Sequence, residues 1–385
     1  MCFLLALSMI AGQALEANAA TIDTYMGTQS ERVESDGALY DKFTPSAEVL
    51  NADGTGNSHA LIQKAIDLNR EQAYEGAVLL KNENNALPLK SGSNLTLLGI
   101  RSHKPVLGSA FGVKVWGPVI NLEQALRDNK TSFATTIADS ASTNWKTGEV
   151  TIGLTMPAWT GDEFDFDGAG MNLNPTMIDI YEQLLATYHH EYNEGAEEHF
   201  DPREPSLADI AAVNANYKDS FKQYGDAAIV VISRASGESH DYLPGGVVEG
   251  LGMDEPLALS QNERDAIALA KEASDKVIVL VNSSASVEIA ELRDDPEIDA
   301  ILWIGAPGAY GMLGIADVLC GKVSPSGGLF DIFAARNMSA PAMQNMGDNG
   351  YTNAAELITR GGGTFGGKTG RYIMVGRHLR RLSLL

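Results

Sequence analysis

Three apolar runs in the second half of the chain have the pattern of strands that are covered on both faces. Residues 227–233, 276–282 and 298–304 are rich in β-branched side chains and show no regular alternation of polar positions. Such continuous runs are typical of parallel strands buried between layers of helices. Residues 95–100 have the same character, and a fourth buried strand is predicted there.

Helical patterns lie between these strands. Residues 58–80 carry small and aliphatic side chains at helical spacing before a turn signal at residues 84–88. A second helix is predicted after Ser260, because Ser260 and Glu263 form a capping box. The alternation predicts the α/β class, a mostly parallel sheet with helices on both faces, known as an α/β sandwich. In the helix predicted within residues 58–80, the side chains at helical spacing are Leu61, Ala65, Leu68 and Ala73.

The patterning also divides the chain. Residues 1–57 are predicted to be an N-terminal extension and residues 58–345 the α/β domain, with a long polar and acidic insertion at about residues 131–222. Residues 346–385 are predicted to be an irregular tail, which is basic because no acidic residue follows Glu356.

The N-terminus allows two interpretations. Residues 1–12 are apolar but too short to span a bilayer, and residues 17–20 resemble a signal cleavage site. No positive residue precedes Arg32, which is atypical of a signal peptide. An export signal or anchor remnant and a frayed helix of a cytoplasmic protein therefore both stay open.

Composition excludes several classes of protein. The chain carries 28 Lys and Arg against 50 Asp and Glu, a formal net charge of −22, which argues against a nucleic-acid partner. The two cysteines, Cys2 and Cys320, cannot form a disulfide framework or a zinc cluster.

Three short motifs suggest ligands but lack the required context. Residues 362–369 match a phosphate-binding loop, yet the nucleotide-binding domain that should follow has no room. Residues 163–168 resemble the start of a calcium loop but lack its bidentate glutamate, so a solvated acidic loop is predicted. Residues 305–311 have the spacing G-x-x-G-x-x-G, and Pro307 removes a donor, so a tight strand-to-helix turn is predicted.

Histidines offer no metal site by spacing. His189, His190 and His199 fit neither a zinc-protease motif nor a zinc finger, and polar loop histidines are predicted instead. The sequence therefore predicts neither a metal nor a cofactor.

The loop that follows the strand at residues 227–233 is the most informative polar segment. It contains Arg234, Glu238, His240 and Asp241, and it leaves the carboxyl end of a buried strand, where open α/β sheets place their ligands. From spacing alone, a polar surface loop and a catalytic loop both remain possible.

Several segments together resemble a known family. Residues 75–89 (EGAVLLKNENNALPL), 229–241 (IVVISRASGESHD), 282–286 (NSSAS) and 298–328 (IDAILWIGAPGAYGMLGIADVLCGKVSPSGG) are similar, in order, to the C-terminal α/β domain of family 3 glycoside hydrolases, the β-glucosidase family. The resemblance runs from about residue 68 to residue 333.

The resemblance implies a retaining β-glycosidase that acts on a β-linked glucoside or oligosaccharide. It implies that Glu238 is the catalytic acid/base and that Arg234 and Asp241 are substrate contacts. Retaining hydrolysis needs a second carboxylate as nucleophile. Family members carry it on a TIM-barrel domain.

The chain departs from the family in what it lacks. A TIM barrel takes about 250 residues, and no part of this chain offers them. Ser239, His240 and Gly328 also differ from the family's motifs. A subgroup of the family carries the α/β domain before the barrel, so the hypothesis is a truncated or frame-shifted product that lacks its partner barrel and is inactive alone.

Two alternatives stay open. A non-catalytic carbohydrate-binding or scaffold module would use tryptophans as sugar platforms, and a nucleotide hydrolase would use residues 362–369. The tryptophans are Trp116, Trp145, Trp159 and Trp303, the last of which is predicted to belong to the core.

Overall fold

The structure is a computed structural model. It describes residues 58–108, 119–127, 130–134, 141–143, 150–152, 163–188, 203–234, 257–329, 331–339, 362–365 and 368–371. The chain divides into two compact units, Met1–Ala60 and Leu61–Leu385, and the architecture below belongs to the second.

A six-stranded sheet organises this unit. Its spatial order is β1-β10-β9-β8-β2-β7, and every neighbouring pair is parallel except β1 with β10. The strands are β1 (Val78–Asn82), β2 (Asn94–Leu98), β7 (Asn172–Leu173), β8 (Ala227–Arg234), β9 (Val277–Ser283) and β10 (Ala300–Trp303).

Three antiparallel pairs lie outside this sheet. β3 pairs with β6, β4 with β5, and β11 with β12. These strands are β3 (Lys130–Ala134), β4 (Ala141–Thr143), β5 (Val150–Ile152), β6 (Glu163–Asp167), β11 (Gly362–Phe365) and β12 (Lys368–Arg371).

Seven α-helices are found among the described residues. Three short 3₁₀ segments, Ile100–Ser102, Tyr217–Ser220 and Asn337–Ser339, accompany them. The helices are α1 (Ser58–Gly76), α2 (Leu122–Leu126), α3 (Pro175–Tyr188), α4 (Leu207–Val213), α5 (Gln261–Ala273), α6 (Ala290–Asp294) and α7 (Met312–Leu319).

Alternate side chains of the strands supply two hydrophobic cores, one on each face of the sheet. On the first face, Ile229 and Leu280 pack in a core that also contains residues of α1, α2 and α7. On the second face, Val230 and Val279 pack in a core with residues of α3, α4 and α5 and Leu292 of α6. Both faces of the parallel strands are thus covered, which explains their continuous apolar runs.

The predicted architecture is confirmed. The four predicted strands are β2, β8, β9 and β10, and every residue of β8 and β9 is buried. The capping box at Ser260 is formed, with the Ser260 side chain accepting from the Glu263 N–H and the Glu263 side chain accepting from the Ser260 N–H.

The first predicted helix differs from the structure in its end and in its buried side. α1 ends at Gly76, and the strand β1 follows at once. Ile66 and Ala73 are buried, whereas Leu68 is 55% exposed. Of the predicted positions, Ala73 is thus confirmed, whereas Ala65 and Leu68 are exposed and Ile66 is buried instead.

Part of the predicted insertion packs on the sheet. β7 adds the edge strand beside β2, and α3 contributes Met177, Ile180 and Tyr181 to the second core. The boundaries predicted for the domains stay a prediction. Among the described residues, no helix has the length and apolarity needed to cross a membrane.

Candidate functional site at the carboxyl edge of the sheet

The helices that follow β2 and β8 lie on opposite faces of the sheet. After β2 the chain continues to α2 on the first face, and after β8 it continues to α5 on the second. β2 and β8 are parallel neighbours, so their carboxyl ends meet at one edge. Such a point, where adjacent strands are followed by helices on opposite faces, is where open α/β sheets form ligand crevices.

The predicted acid/base loop begins at this point. Glu238 and Asp241 lie outside the described residues, which stop at Arg234 and resume at Leu257. Their predicted roles therefore stay predictions. The anchorage of the loop is described, because Arg234 is the last residue of β8.

Arg234 is fully buried and bound to protein groups. Its guanidinium forms a two-pronged ion pair with Glu263, with Nη1 2.6 Å from Oε1 and Nη2 2.8 Å from Oε2. Nη1 also donates to the carbonyl of Ser233, and Nη2 donates to the carbonyl of Ala258 at 2.7 Å. A planar fork suits this two-pronged geometry, which a lysine could not reproduce.

These bonds join the two ends of the loop. Arg234 precedes residues 235–256, and Ala258 follows them, so one side chain spans the base of the segment. Glu263 is held in turn by the Ser260 N–H at 2.7 Å. Arg234 therefore fixes where the loop leaves and rejoins the sandwich, while its predicted contact with substrate stays a prediction.

A second buried network lies at the end of β2. The Tyr181 hydroxyl accepts from the Gly99 N–H at 2.9 Å and lies 3.5 Å from the Glu204 carboxylate, which accepts from the Ile100 N–H at 2.9 Å. Burial raises the pKa of Glu204 to about 8. Burial likewise raises the pKa of Tyr181 well above its usual range.

His103 lies beside this network. Its ring stacks on Tyr181 with centroids 5.3 Å apart, and Nδ1 is 3.5 Å from Oε2 of Glu123. The buried Nε2 has no hydrogen-bond partner in the described part of the chain. Burial opposes ionisation of Glu123, but His103 and Arg127 outweigh it, and the pKa of Glu123 is lowered.

Asn282 connects the loops along the edge. It is fully buried at the end of β9, accepts from the Val106 N–H and donates to the carbonyls of Val106 and Gly305. Val106 lies in the loop after β2, and Gly305 lies in the loop after β10. One amide thereby ties together the loops of two strands that are not neighbours in the sheet.

The buried hydrogen-bond network of Tyr181 and Glu204 was not predicted from the sequence. Both residues lie in the segment predicted as an insertion, and their contacts with Gly99 and Ile100 cross about 80 to 100 positions of sequence. The only local signal is the short polar run before the capping box of Ser206 and Asp209. That signal indicates a helix start rather than a site.

The remaining motifs have structural explanations. The residues of the phosphate-loop motif form the antiparallel pair β11 and β12, whereas a phosphate loop must lead from a strand into a helix. The acidic run at residues 163–167 is strand β6, so the predicted loop is wrong there. Gly305 and Gly308, with φ of 56° and 79°, form the predicted turn before α7.

The described residues contain no candidate metal site and one of the candidate sugar-binding tryptophans. Within the described ranges, no group of three or more His, Cys, Asp or Glu side chains is placed to hold a metal ion. Of the four candidate tryptophans only Trp303 is described, and it is partly buried. His189, His190 and His199 lie outside the described residues, as do Trp116, Trp145 and Trp159.

Comparison with known proteins gives one family. Residues 77–364, well over half of the chain, match the model of the glycosyl hydrolase family 3 C-terminal domain. The chain is 27% identical over 333 residues to β-glucosidase A of Butyrivibrio fibrisolvens, covering 82% of this chain but 34% of that relative. It is 26% identical over 263 residues to the periplasmic β-glucosidase of Salmonella typhimurium, covering 68% and 27%.

Solved structures agree on the fold. A β-glucosidase from Paenibacillus barengoltzii matches with a TM-score of 0.54 and 23% identity, over 74% of this chain and 26% of that one. β-Glucosidase 3B from Thermotoga neapolitana, solved with glucose, matches with a TM-score of 0.51 and 24% identity, over 77% and 34%. The chain thus spans about a third or less of these proteins.

Proposed function

Because the chain belongs to glycosyl hydrolase family 3 and carries its C-terminal domain, we propose that it supplies the acid/base half of a retaining β-glycosidase site, with Glu238 as the proton donor. The substrate would be a β-linked glucoside, as the names of its relatives suggest. The observation that carries the proposal is the anchorage of the Glu238 loop at the carboxyl end of β8, beside β2, where the helices that follow these two strands lie on opposite faces.

The bonds of the buried Arg234 to Glu263 and Ala258 suit a loop that has to hold a proton donor in place. A proton donor must lie within hydrogen-bond distance of the glycosidic oxygen, so its support must be fixed to a fraction of an ångström. Arg234 joins both ends of the loop to Glu263 on α5, a helix packed on the second face of the sheet. Arg234 is accordingly a positioning residue in this proposal.

The nucleophile is proposed to come from another polypeptide segment. In retaining hydrolysis the two carboxyl groups lie about 5–5.5 Å apart, and the second one attacks the anomeric carbon. The described residues offer no exposed carboxylate pair at this edge; Glu204 and Glu263 are both buried and bonded to protein groups. A barrel domain like that of the full-length relatives is the proposed source.

The test is complementation. The purified chain is mixed with the remaining part of the Butyrivibrio fibrisolvens relative, made as a separate polypeptide, and hydrolysis of phenyl β-glucoside is followed. The chain alone is expected to be inactive, and the mixture active. Glu238→Gln should lower the rate in the mixture by about 10²–10⁴-fold, because phenolate leaves poorly without a proton.

Two controls make the role specific. Dinitrophenyl β-glucoside has a leaving group that needs no proton, so Glu238→Gln should slow its glycosylation step far less. Glu272→Gln removes an exposed carboxylate paired with Lys218 near the end of α5, and it should leave the rate unchanged. Equal losses with both substrates, or activity that survives Glu238→Gln, would contradict the assignment.

A further inference from the structure

A cavity of about 370 Å³ lies at the carboxyl end of β10. It is bounded on one side by the last two turns of α1 and on the other by the turn that leads from β10 toward α7. Among the described residues, none with a charged side chain lines it. The lining residues are Asn69, Gln72, Ala73, Gly76, Trp303, Ile304, Gly305, Ala306, Pro307 and Gly308.

The topology explains why space is left there. After β9 the chain turns toward α6 and the second face, whereas after β10 it turns toward α7 and the first face. β9 and β10 are parallel neighbours, so this is a second point at which adjacent loops diverge at the carboxyl edge. Open α/β sheets bind small molecules at such points.

The walls of the cavity are fixed by bonds that do not depend on a ligand. The Trp303 indole N–H donates to the Ser283 carbonyl at 3.0 Å. Asn69 donates from Nδ2 to the Pro307 carbonyl at 2.7 Å and accepts at Oδ1 from the Tyr310 N–H at 2.9 Å. A ligand would therefore meet a preformed surface, which lowers the entropic cost of binding.

Glycine brings the turn close to its neighbours. Gly305 has a φ of 56°, and a Cβ atom there would lie 3.2 Å from Cη2 of Trp303. The indole therefore lies directly against the bare backbone of the turn. This arrangement leaves the ring as one wall of the cavity and the peptide groups of the turn as another.

The chemistry of the walls selects a neutral, hydroxyl-rich ligand. A charged ligand would lose its hydration without meeting an opposite charge. Gln72 is exposed on α1 and offers an amide that donates and accepts, and the Ala306 N–H donates to no other described residue. An indole beside such groups matches a pyranose, which has apolar C–H faces and a polar rim.

We propose that this cavity binds a neutral monosaccharide, with Trp303 as the apolar wall and Gln72 as a hydrogen-bonding partner. A volume of about 370 Å³ lies near the lower end of the range for small-molecule sites, which fits one sugar ring better than an oligosaccharide. The proposal concerns binding and does not require that the chain hydrolyse anything.

D-Glucose is the probe, titrated into the full chain and followed by saturation-transfer NMR, with sodium glucuronate as the charged counterpart. Glucose is expected to bind and glucuronate to bind at least tenfold more weakly. Gln72→Ala should weaken glucose binding by about threefold to tenfold, the usual value of one hydrogen bond.

Gln63→Ala is the matched control. Gln63 lies nine positions earlier in α1, about two and a half turns away and thus on the opposite side of the helix, where it donates to Asp67. Binding by Gln63→Ala should equal that of the unmodified chain. Trp303→Leu, checked for folding by circular dichroism, should abolish binding.

Three results would overturn the proposal. They are no glucose binding by the unmodified chain, equal weakening in Gln63→Ala and Gln72→Ala, or binding that is unchanged in Gln72→Ala but is lost in Glu238→Gln. The last result would place the sugar at the β8 loop instead. Because Glu238→Gln should leave this cavity intact, failure here and failure of the proposed hydrolysis are distinguishable.

Discussion

The carboxyl edge of the sheet contains two regions of opposite character. At the ends of β2 and β8, buried ionisable groups bind one another: Arg234 with Glu263, and Tyr181 with Glu204. At the end of β10, the described residues that line the cavity carry no charge, and space is left open. In the first region the buried polar groups thus support the fold and the base of the β8 loop. In the second region the open volume forms a candidate ligand site.

Removing Arg234, whose side chain joins the two ends of the β8 loop, should have the greatest consequence for stability. Arg234→Met should lower the free energy of unfolding by about 3–5 kcal/mol, because it leaves the buried Glu263 without its partner. Arg264→Met is the control, since Arg264 pairs with Glu291 at the surface and the loss should be below about 1 kcal/mol.

Urea denaturation of both variants measures the difference. Adding Glu263→Met to Arg234→Met should recover part of the loss, because the second change removes the unpaired charge. If Arg234→Met and Arg264→Met cost the same, the Arg234 pair does not hold the loop base.

A smaller effect compares the tightness of the two regions. A Cβ atom at Gly99 would lie 2.7 Å from the Val231 carbonyl oxygen, whereas one at Gly305 would meet the Trp303 side chain at 3.2 Å. Both glycines have positive φ, so an alanine at either position is strained. Gly99→Ala should therefore be more destabilising than Gly305→Ala by about 1–3 kcal/mol, because the backbone of β8 cannot yield.

Chemical denaturation of the two alanine variants tests this difference, with Gly92→Ala as a reference. Gly92 also has positive φ, but a Cβ atom there would contact nothing within 4 Å. Gly92→Ala thus reports the backbone strain alone. Equal losses at all three positions would show that the polar region is not more tightly packed.

The third effect concerns pH, and expressed per pH unit it is the smallest of the three. The pKa of Glu204 is about 8 in the folded protein, against 4.5 as the ordinary value, so the folded state binds more protons between these values. Stability should therefore fall as the pH rises from 4.5 to 8, with a slope contribution of about 1 kcal/mol per pH unit. Glu204→Gln cannot titrate and should remove that contribution.

The measurement is the free energy of unfolding at pH 5, 6, 7 and 8 for both proteins. Subtracting the two curves cancels the other titrating groups. The difference should grow steadily with pH in favour of Glu204→Gln. A constant difference would mean that Glu204 is ionised throughout, which would remove the buried neutral carboxyl from the polar region.

The sequence predicted the centre of the fold better than its borders. β8 and β9 were recognisable because burial on both faces requires unbroken apolar runs. β1 was missed because it is an edge strand with a bulge, and only Val78 is buried in it. β7 has two residues, too few for any pattern to emerge.

The position of the candidate site could be predicted from the sequence, but its ion pairs and hydrogen bonds could not. The rule that loops at strand carboxyl ends bind ligands pointed to the segment after β8. Glu263, however, was visible only as part of a capping box, and its ion pair with Arg234 spans 29 positions. A pair of residues this far apart produces no periodic pattern in the sequence. The ion pair of Arg234 with Glu263 is therefore visible only in the structure.

The bond between Arg234 and Ala258 has a consequence for how this domain can diversify. The bond between Arg234 and Ala258 already holds the two ends of residues 235–256 together. The stability of the α/β sandwich should therefore depend little on the length of that segment. Doubling such a segment adds only about 0.6 kcal/mol of closure entropy. New specificities can therefore be tried by lengthening, shortening or exchanging that stretch, while the remainder of the domain folds as before.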